Sequence, residues 1–454
     1  MIALIAMLLL TLIVVVEPAA TTSDRDDNPM FQAMSANGTI GSRQSWWWRH
    51  KYLQASIRED RAREDVMKRF TTITLSIILV LIVAAPMASG QSSDTSQRAT
   101  SAAASNRPTD SQHITVMTRN LYLGANLDQA ILAILSGNQQ VITDAATVTW
   151  ASVVSTNFPE RAEVLADEIA HSQPHLVGLQ EVSLYRTGPS DTFSANPTPA
   201  RRVRLDYLEI LLQELNERGL HYAPVAVTKN FDVENPGDID VGEETNIQDI
   251  RLTDRDVILA HTDLPSTELK LSNVQIANFQ TNASLPIGDT GQFVTIVRGW
   301  SSVDVRSRGL NFRFINTHLE QEGLFNQIQV AQGNEILSGP ANTSLPVILV
   351  GGYNSKADGT GTPTYSNLIG AGFTDAWSVT HPEELGNTFG HEPLLLNTTV
   401  ELTQRIDLVL FRGSLSDSLS AVNSDVVGDE LEDRTPSGLW PSDHAGVVTT
   451  LKGE

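Results

Sequence analysis

The 454-residue sequence contains no cysteine, which excludes a disulfide framework, a thiolate nucleophile and a cysteine-ligated zinc site. Basic residues are also scarce, since 31 Lys and Arg stand against 53 Asp and Glu, for a formal charge of −22. A surface of this sign repels polyanions at long range, which argues against tight non-specific binding of nucleic acid. It leaves room for a local basic cleft or for a metal-bridged contact with phosphate.

Two common catalytic motifs are missing as well. The sequence has no complete Gly-x-x-x-x-Gly-Lys-Ser/Thr loop, so Gly359-Thr360-Gly361 is interpreted as a turn. It has no His-Glu-x-x-His either, which removes the common metalloprotease class. No repeat of 20 to 50 residues is visible.

The N-terminal region carries a targeting pattern. Met-Lys-Arg at residues 67–69 precedes an apolar run at residues 73–85 and the small residues Ala88-Ser89-Gly90. This order is typical of a secretory signal peptide and predicts a secreted or extracytoplasmic protein. A second apolar run lies at residues 2–16, so a membrane anchor with two apolar segments is the alternative.

These observations divide the chain into four parts. Residues 1–66 are an N-terminal extension of uncertain role, and residues 67–90 are the signal peptide or anchor. Residues 91–112 are rich in Ser, Thr, Ala and Gln, which predicts a flexible linker. Residues 113–454 form the expected catalytic domain.

Strand and helix patterns alternate within that domain. Apolar or alternating runs predict strands at residues 114–120, 176–179, 257–259, 292–297, 310–319, 347–350, 406–411 and 446–451. Apolar residues at helical spacing predict helices at residues 159–173, 205–218 and 327–337. The polar stretch at residues 187–204 is predicted to be a loop at the site entrance. The pattern favours an α/β four-layer sandwich, with two mainly antiparallel β-sheets packed face to face and helices outside.

Six short polar islands stand at the ends of these apolar runs. They are Arg119-Asn120, Gln180-Glu181, Asn316-Thr317-His318, Gly351-Gly352-Tyr353-Asn354, Arg405-Ile406-Asp407 and Ser442-Asp443-His444. Any one of them is typical of a cap or a solvated turn. Together they supply the carboxylates, amides and imidazoles that metal-assisted phosphoryl transfer requires. Four arginines, Arg119, Arg186, Arg255 and Arg298, are candidates to reach an anionic substrate, with surface ion pairs as the alternative.

In this order the islands resemble the endonuclease/exonuclease/phosphatase superfamily, over residues 113–451. That superfamily includes pancreatic-type deoxyribonuclease, abasic-site endonucleases, neutral sphingomyelinases and inositol polyphosphate 5-phosphatases. The resemblance implies a Mg²⁺ or Mn²⁺ ion held by Glu181, Asn120 and Asp443. It also implies catalytic roles for His318, His444, Asp407, Asn354 and Asn316, with Asp407 orienting the His444 ring.

One island departs from the superfamily pattern, because Gly352 stands where members usually have Asp. That Asp is the carboxylate thought to position the attacking water, and general-base help is typically worth ~10²–10⁴-fold in rate. A weakened catalyst, compensation by a nearby carboxylate such as Asp358, or an altered sequence would each account for the glycine. The expected activity is hydrolysis of a phosphate ester, and the alternative is a phosphate-ligand-binding protein. The expected substrate is a lipid head group, a small phosphate ester or nucleic acid, and no obligate protein partner is inferred.

Overall fold

The computed structural model describes residues 113–240, 245–413 and 419–453. The extension, the signal peptide or anchor and the linker predicted for residues 1–112 lie outside these residues. Among the helices that are described, none combines the length and the apolar character needed to cross a membrane.

Sheet A, within the described residues, has eight strands in the order β15-β16-β1-β2-β6-β3-β4, and β5 pairs with β6 beside this path. The strands are β1 His113–Asn120, β2 Leu176–Gln180, β3 Leu184–Gly188, β4 Arg202–Asp206, β5 Tyr222–Asp238, β6 Ile247–His261, β15 Leu419–Val427 and β16 Gly446–Gly453.

Sheet B has six described strands in the order β13-β14-β12-β11-β10-β7. They are β7 Lys270–Asn278, β10 Gly299–Ser307, β11 Leu310–His318, β12 Val347–Gly352, β13 Thr374–Asp375 and β14 Asp407–Arg412. A separate two-stranded sheet pairs β8 Ala283–Pro286 with β9 Phe293–Ile296. The helices are α1 Asp128–Ser136, α2 Gln139–Ser155, α3 Phe158–Ser172, α4 Tyr207–Glu217, α5 Asn326–Ser338, α6 Thr364–Gly370 and α7 Ala376–Thr380, and a 3-10 turn spans Leu431–Asp433.

Three apolar cores separate four layers. Between the sheets, Ile114 and Val116 of β1 share one core with Phe312 and Phe314 of β11. On the outer face of sheet A a second core joins strand residues to α2, α3 and α4, and on the outer face of sheet B a third joins strand residues to α5 and α6. Alternate residues of each strand therefore face opposite cores, as period-two side-chain placement requires. The predicted four-layer α/β sandwich is confirmed.

The predicted elements are confirmed, with end shifts of a few residues, except that the strand predicted at residues 257–259 is only the last part of the longer β6, Ile247–His261. The predicted entrance loop is partly wrong. Its two ends belong to β3 and β4, which pair as a hairpin, so only residues 189–201 form the loop. Val203 and Leu205 of β4 follow a proline-rich segment that hides the start of a strand.

Candidate functional site

All six islands meet at one rim because of strand direction. The parallel pairs β1–β2 and β11–β12 bring their carboxyl ends together there. Strands β14 and β16 run antiparallel to β12 and β1, so they begin at the same rim. The first four islands therefore lie at the C-terminal end of a strand, and the last two lie at the N-terminal start of one. In register, Gly352 lies between His318 on β11 and Asp407 on β14.

His444 forms one half of a buried ion pair. Its Nδ1 lies 2.8 Å from Asp407 Oδ2, which also accepts a hydrogen bond of 2.7 Å from the Thr388 hydroxyl. Burial opposes protonation of His444, but the carboxylates of Asp407 and Asp443 outweigh burial and raise its pKa to about 9. His444 is therefore an imidazolium at neutral pH.

His318 has the opposite environment. Its Nδ1 lies 3.0 Å from Nη1 of Arg298, and the ring is 2% exposed. Burial, followed by the positive charges of Arg298 and His444, lowers the pKa of His318 well below its ordinary value of 6.5. The rim thus presents one cationic and one neutral imidazole on the two sides of Gly352.

Carboxylate and amide oxygens gather beside His444. Glu181 follows β2 in a left-handed conformation, with φ of +56°, and its Oε2 accepts a hydrogen bond of 2.8 Å from the backbone of Leu123. Burial raises the pKa of Asp443 to about 7, His444 opposes this shift, and the negative charge of Glu181 adds to it. Asn120 is fully buried, its Oδ1 accepts a hydrogen bond of 2.8 Å from the Tyr122 backbone, and its Nδ2 has no hydrogen-bond partner among the described residues.

The donor chemistry of this group fits a hard divalent cation. The mutual repulsion of Glu181 and Asp443 is the charge that such an ion would offset. Within the described residues no three His, Asp or Glu side chains form a ready-made metal cluster. Few protein ligands suit Mg²⁺, which keeps several of its waters.

Asn316 joins the two sheets. Its Nδ2 donates to the backbone oxygens of Leu179 and Val257, at 3.0 and 3.2 Å, and its Oδ1 accepts from Gln180 Nε2 at 2.8 Å. Gly178 makes this approach possible, since a Cβ there would lie 2.7 Å from Asn316 Oδ1. Both polar groups of the Asn316 side chain are occupied within the protein, so Asn316 holds the sheets together at the rim, and its catalytic role stays a prediction.

Gly351 and Gly352 differ in whether the structure would accept a side chain at their positions. Gly351 has φ of +144°, and a Cβ there would lie 1.9 Å from the Thr317 carbonyl oxygen, so only glycine fits. Gly352 lies outside the left-handed region, and a Cβ there would lie 3.0 Å from His318 Cδ2, 3.4 Å from His318 Nε2 and 3.6 Å from Asp407 Oδ1. The backbone therefore accepts a side chain at position 352, at the cost of a small shift of the His318 ring.

The candidate arginines are not surface ion pairs. Arg119 is buried and pairs with Glu168 at 2.7 Å, while one of its nitrogens donates to the His444 backbone oxygen. Arg255 donates to Val182 O and pairs with Asp206, and Arg186 contacts the Thr253 hydroxyl. Of the four, Arg298 alone contacts one of the candidate catalytic side chains.

Sequence reasoning overlooked Arg161 and Thr388. Arg161 is fully buried and donates to four backbone oxygens, those of Thr156, Leu121, Tyr122 and Pro441. It lies on the apolar face of α3, and a charged residue on that face was the available signal. Thr388 carried no sequence signal, since it lies in an irregular segment.

The chain belongs to the endonuclease/exonuclease/phosphatase family, whose sequence profile matches residues 154–444. Members of this family include phosphodiesterases, phosphatases and nucleases, which hydrolyse phosphate esters and generally use divalent metal ions.

Solved structures of this family resemble the chain over 75% of its length. A humanized TDP2 from D. rerio with 14 mutations has 17% identity and a TM-score of 0.43, over 100% of that chain. A family protein from Leptotrichia buccalis has 16% identity and a TM-score of 0.41, over 99% of that chain. D. rerio TDP2 complexed with single-strand DNA product has 18% identity and a TM-score of 0.41, also over 99%. A comparison with curated protein sequences finds no match.

Proposed function

We propose that the protein hydrolyses a phosphate ester with the help of a divalent cation, Mg²⁺ or Mn²⁺. The observation that carries the proposal is the pair of imidazoles on either side of Gly352, of which His444 contacts the Asp407 carboxylate and His318 contacts the Arg298 guanidinium. In-line attack on phosphorus needs charge stabilisation on the leaving oxygen and hydrogen bonds to the remaining oxygens. A cationic His444 suits the leaving oxygen, and a neutral His318 suits a hydrogen bond to one of the remaining oxygens.

Glu181, Asp443 and Asn120 are the residues that would hold the cation. When bound, the cation would polarise a phosphoryl oxygen and offset charge on the leaving group. Glu181 commits Oε2 to Leu123, and no hydrogen bond to its Oε1 is found among the described residues. The Leu123 contact restrains the Glu181 carboxylate through one oxygen and leaves the other for the cation.

His444 is proposed as the proton donor. Asp407 fixes the ring by accepting from Nδ1, so Nε2 is the nitrogen that faces the leaving oxygen. Asp443 Oδ1 lies 3.9 Å from that nitrogen, which places the proton donor beside the proposed cation site.

Asp407 is also the carboxylate nearest to position 352, where members of the family usually have Asp. Its Oδ1 is buried and has no hydrogen-bond partner among the described residues. Asp358, the compensating residue suggested by the sequence, is exposed, and its Oδ1 accepts two hydrogen bonds from Thr360. We therefore assign to Asp407 Oδ1 the hydrogen bond that orients the attacking water in the space beside Gly352.

The substrate class proposed first is a lipid head group or a small phosphate ester, because the acidic surface repels long nucleic acid. The expected secretory signal supports an extracytoplasmic site of action, with residues 113–454 as the catalytic domain and membrane anchoring as the alternative. N-terminal sequencing of the mature protein separates cleavage after residue 90 from retention of an anchor.

The direct test is a turnover assay with Mg²⁺, with and without EDTA. The substrates are sphingomyelin, inositol phosphates, DNA and an aryl phosphodiester, and His444→Asn is the matched inactive control. EDTA-sensitive turnover of at least one substrate is expected, and the control should lose it. Absence of metal-dependent turnover on the whole panel contradicts the proposal.

Gly352 favours a second candidate, a phosphate-binding protein without turnover. In that case the wild-type protein should bind an aryl phosphodiester without hydrolysing it. Equilibrium binding measured beside the turnover assay separates the two functions.

A further inference from the structure

Arg298 is a buried residue that contacts His318. It immediately precedes β10, whose first residue, Gly299, is the register partner of His318 on β11. Its backbone N–H donates to Asn282 Oδ1 and its carbonyl accepts from Phe279, both at 2.9 Å. The residue is 9% exposed. These contacts hold the Arg298 backbone in place, and the Nη1 atom of its guanidinium group lies 3.0 Å from His318 Nδ1.

The surrounding carboxylates keep this guanidinium charged but do not compete for the hydrogen bond. Asp254 Oδ2 lies 3.7 Å from Nη1, and Glu320 Oε2 lies 3.8 Å from Nε. Both distances exceed a good hydrogen bond. The side-chain contact of Nη1 at hydrogen-bonding distance is therefore the one to His318.

The chemistry of arginine decides the state of the histidine. A guanidinium has only donors and does not lose its proton in proteins. His318 Nδ1 must therefore accept, which excludes both the Nδ1–H tautomer and the imidazolium. The remaining proton of the neutral ring must lie on Nε2.

We propose that Arg298 is a positioning residue that holds His318 as the neutral Nε2–H tautomer, so that His318 donates a hydrogen bond to a substrate oxygen and transfers no proton. The assignment of that oxygen to a phosphoryl group rests on the proposed function. The tautomer itself does not.

Asn354 indicates what the Nε2–H faces. Its Nδ2 donates to the Leu319 carbonyl at 2.9 Å, which fixes the amide with its nitrogen 3.4 Å from His318 Nε2. With the ring proton on Nε2, this 3.4 Å contact joins two N–H donors and is not a hydrogen bond, so both donors are available to one acceptor. An anionic oxygen, such as a non-bridging phosphoryl oxygen, satisfies both donors.

Charged groups from every neighbouring element agree with this assignment. Arg298 faces the ring from the segment before β10, and His444 faces it from the segment before β16. Glu320 and Asp254 are paired with Arg298 and not with the ring, while Asp407 is paired with His444. The two imidazoles thus differ in charge because His444 is paired with the Asp407 carboxylate, whereas His318 contacts the Arg298 guanidinium.

The test is ¹⁵N NMR of the full chain labelled at histidine, without metal or substrate. His318→Asn identifies the His318 signals by their loss. We expect a pyridine-type Nδ1 and a pyrrole-type Nε2, unchanged over a pH range that extends to both sides of 6.5, the ordinary pKa of histidine. An Nδ1–H pattern, an imidazolium in that range or rapid tautomer exchange overturns the proposal. The tautomer is read from the wild-type protein, and His318→Gln gives the same signal assignment if His318→Asn fails to fold.

Two variants then assign the effect to Arg298. Arg298→Met should release His318 into a tautomer mixture that titrates nearer the ordinary histidine pKa, whereas Arg298→Lys, which keeps a cationic donor, should retain the Nε2–H form. Arg313→Met is the matched control, because Arg313 pairs with Asp304 on the same sheet at 2.7 Å and contacts no candidate site residue. A wild-type His318 spectrum in Arg298→Met also overturns the proposal.

Kinetics add a separate readout if turnover is found. Arg298→Met should lower kcat/KM about 10-fold or more and introduce an acidic limb in its pH profile, since His318 then protonates. Arg313→Met should keep the wild-type profile. Absence of turnover in wild type would contradict the proposed function while leaving the tautomer result intact.

Discussion

Asp407 Oδ1 lies 3.6 Å from the point where a Cβ on Gly352 would stand. Under the proposed function, this buried oxygen would take over the role of the carboxylate that members of the family usually carry at position 352. The effect of adding a side chain at position 352 can therefore be predicted.

Gly352→Asp is expected to raise kcat by roughly 10²-fold, the lower end of general-base contributions. The new carboxylate would orient water while Asp407 keeps its hydrogen bond to His444. The measurement is steady-state turnover with Mg²⁺. Gly352→Ala is the control, because it makes the same 3.0 Å contact with His318 Cδ2 without a carboxylate and should give no gain.

The outcomes of this substitution separate three cases. A gain in Gly352→Asp alone identifies an impaired enzyme. An active wild type with no gain shows that Asp407 already suffices. If neither protein turns over while both bind an aryl phosphodiester, the binding function holds.

The free energy of unfolding should fall between about pH 7 and pH 9. His444 has a folded pKa of about 9, raised from 6.5, so its stabilising contribution is fully present below 6.5 and is lost as pH rises through 9. The full effect is about 3 kcal/mol. Asp443 and Asp254, with pKa values of about 7, act mainly at lower pH. The raised pKa of Asp256 adds a loss of stability of the same sign, so the His444 contribution is the part that depends on Asp407.

Urea unfolding in EDTA at several pH values measures this slope. Asp407→Asn should flatten it, because the imidazolium loses its nearest carboxylate. An equal slope in both proteins would show that another group titrates in this window.

Glu181→Gln is expected to abolish stabilisation by Mg²⁺. A ligand that binds only the folded state raises stability by RT ln(1 + [L]/Kd), so wild type should melt at a higher temperature as Mg²⁺ increases. Thermal unfolding with Mg²⁺ and with EDTA gives the comparison. Glu322→Gln is the control, since Glu322 pairs with Lys356 at 3.4 Å. A Mg²⁺ response that survives in Glu181→Gln would place the cation elsewhere.

Asn316→Ala should destabilise the fold by about 3 kcal/mol, because it removes the buried hydrogen bonds from Asn316 to the carbonyls of Leu179 and Val257 and the one from Gln180 to Asn316. Chemical unfolding measures the loss. Asn311→Ala, on an exposed position of the same strand, should change stability by less than about 0.5 kcal/mol. A small effect at Asn316 would mean that the link between the sheets carries little energy.

The sequence predicted the islands well because polar residues after apolar runs mark strand ends. It did not predict α2, whose sequence is rich in Val, Thr and Ile, residues that favour strands. Burial of Ile142, Trp150 and Val153 on a single face decides in favour of a helix, and only the folded core shows that face. The long hairpin β5–β6 was also missed, since Pro224 and the register shifts next to it interrupt the strand pattern.

The chemistry of individual side chains was less predictable. Asn316 and His318 are two residues apart on one strand, yet one bridges the sheets and the other faces the cleft. The partner of His318 lies 20 residues earlier in the chain, and that of His444 lies 37 residues earlier. Such pairings depend on strand register, which spacing alone does not encode.

The pairing of β1 with β16 also constrains how the molecule is made. These neighbours in sheet A join residues 113–120 to residues 446–453, so the central strand β1 lacks one partner until the last described strand has left the ribosome. Contacts this distant in sequence close slowly. The rim between Asn120 and His444 is therefore assembled only after β16 has been made, and a chain that is cut short before β16 would lack the strand that joins β15 to β1.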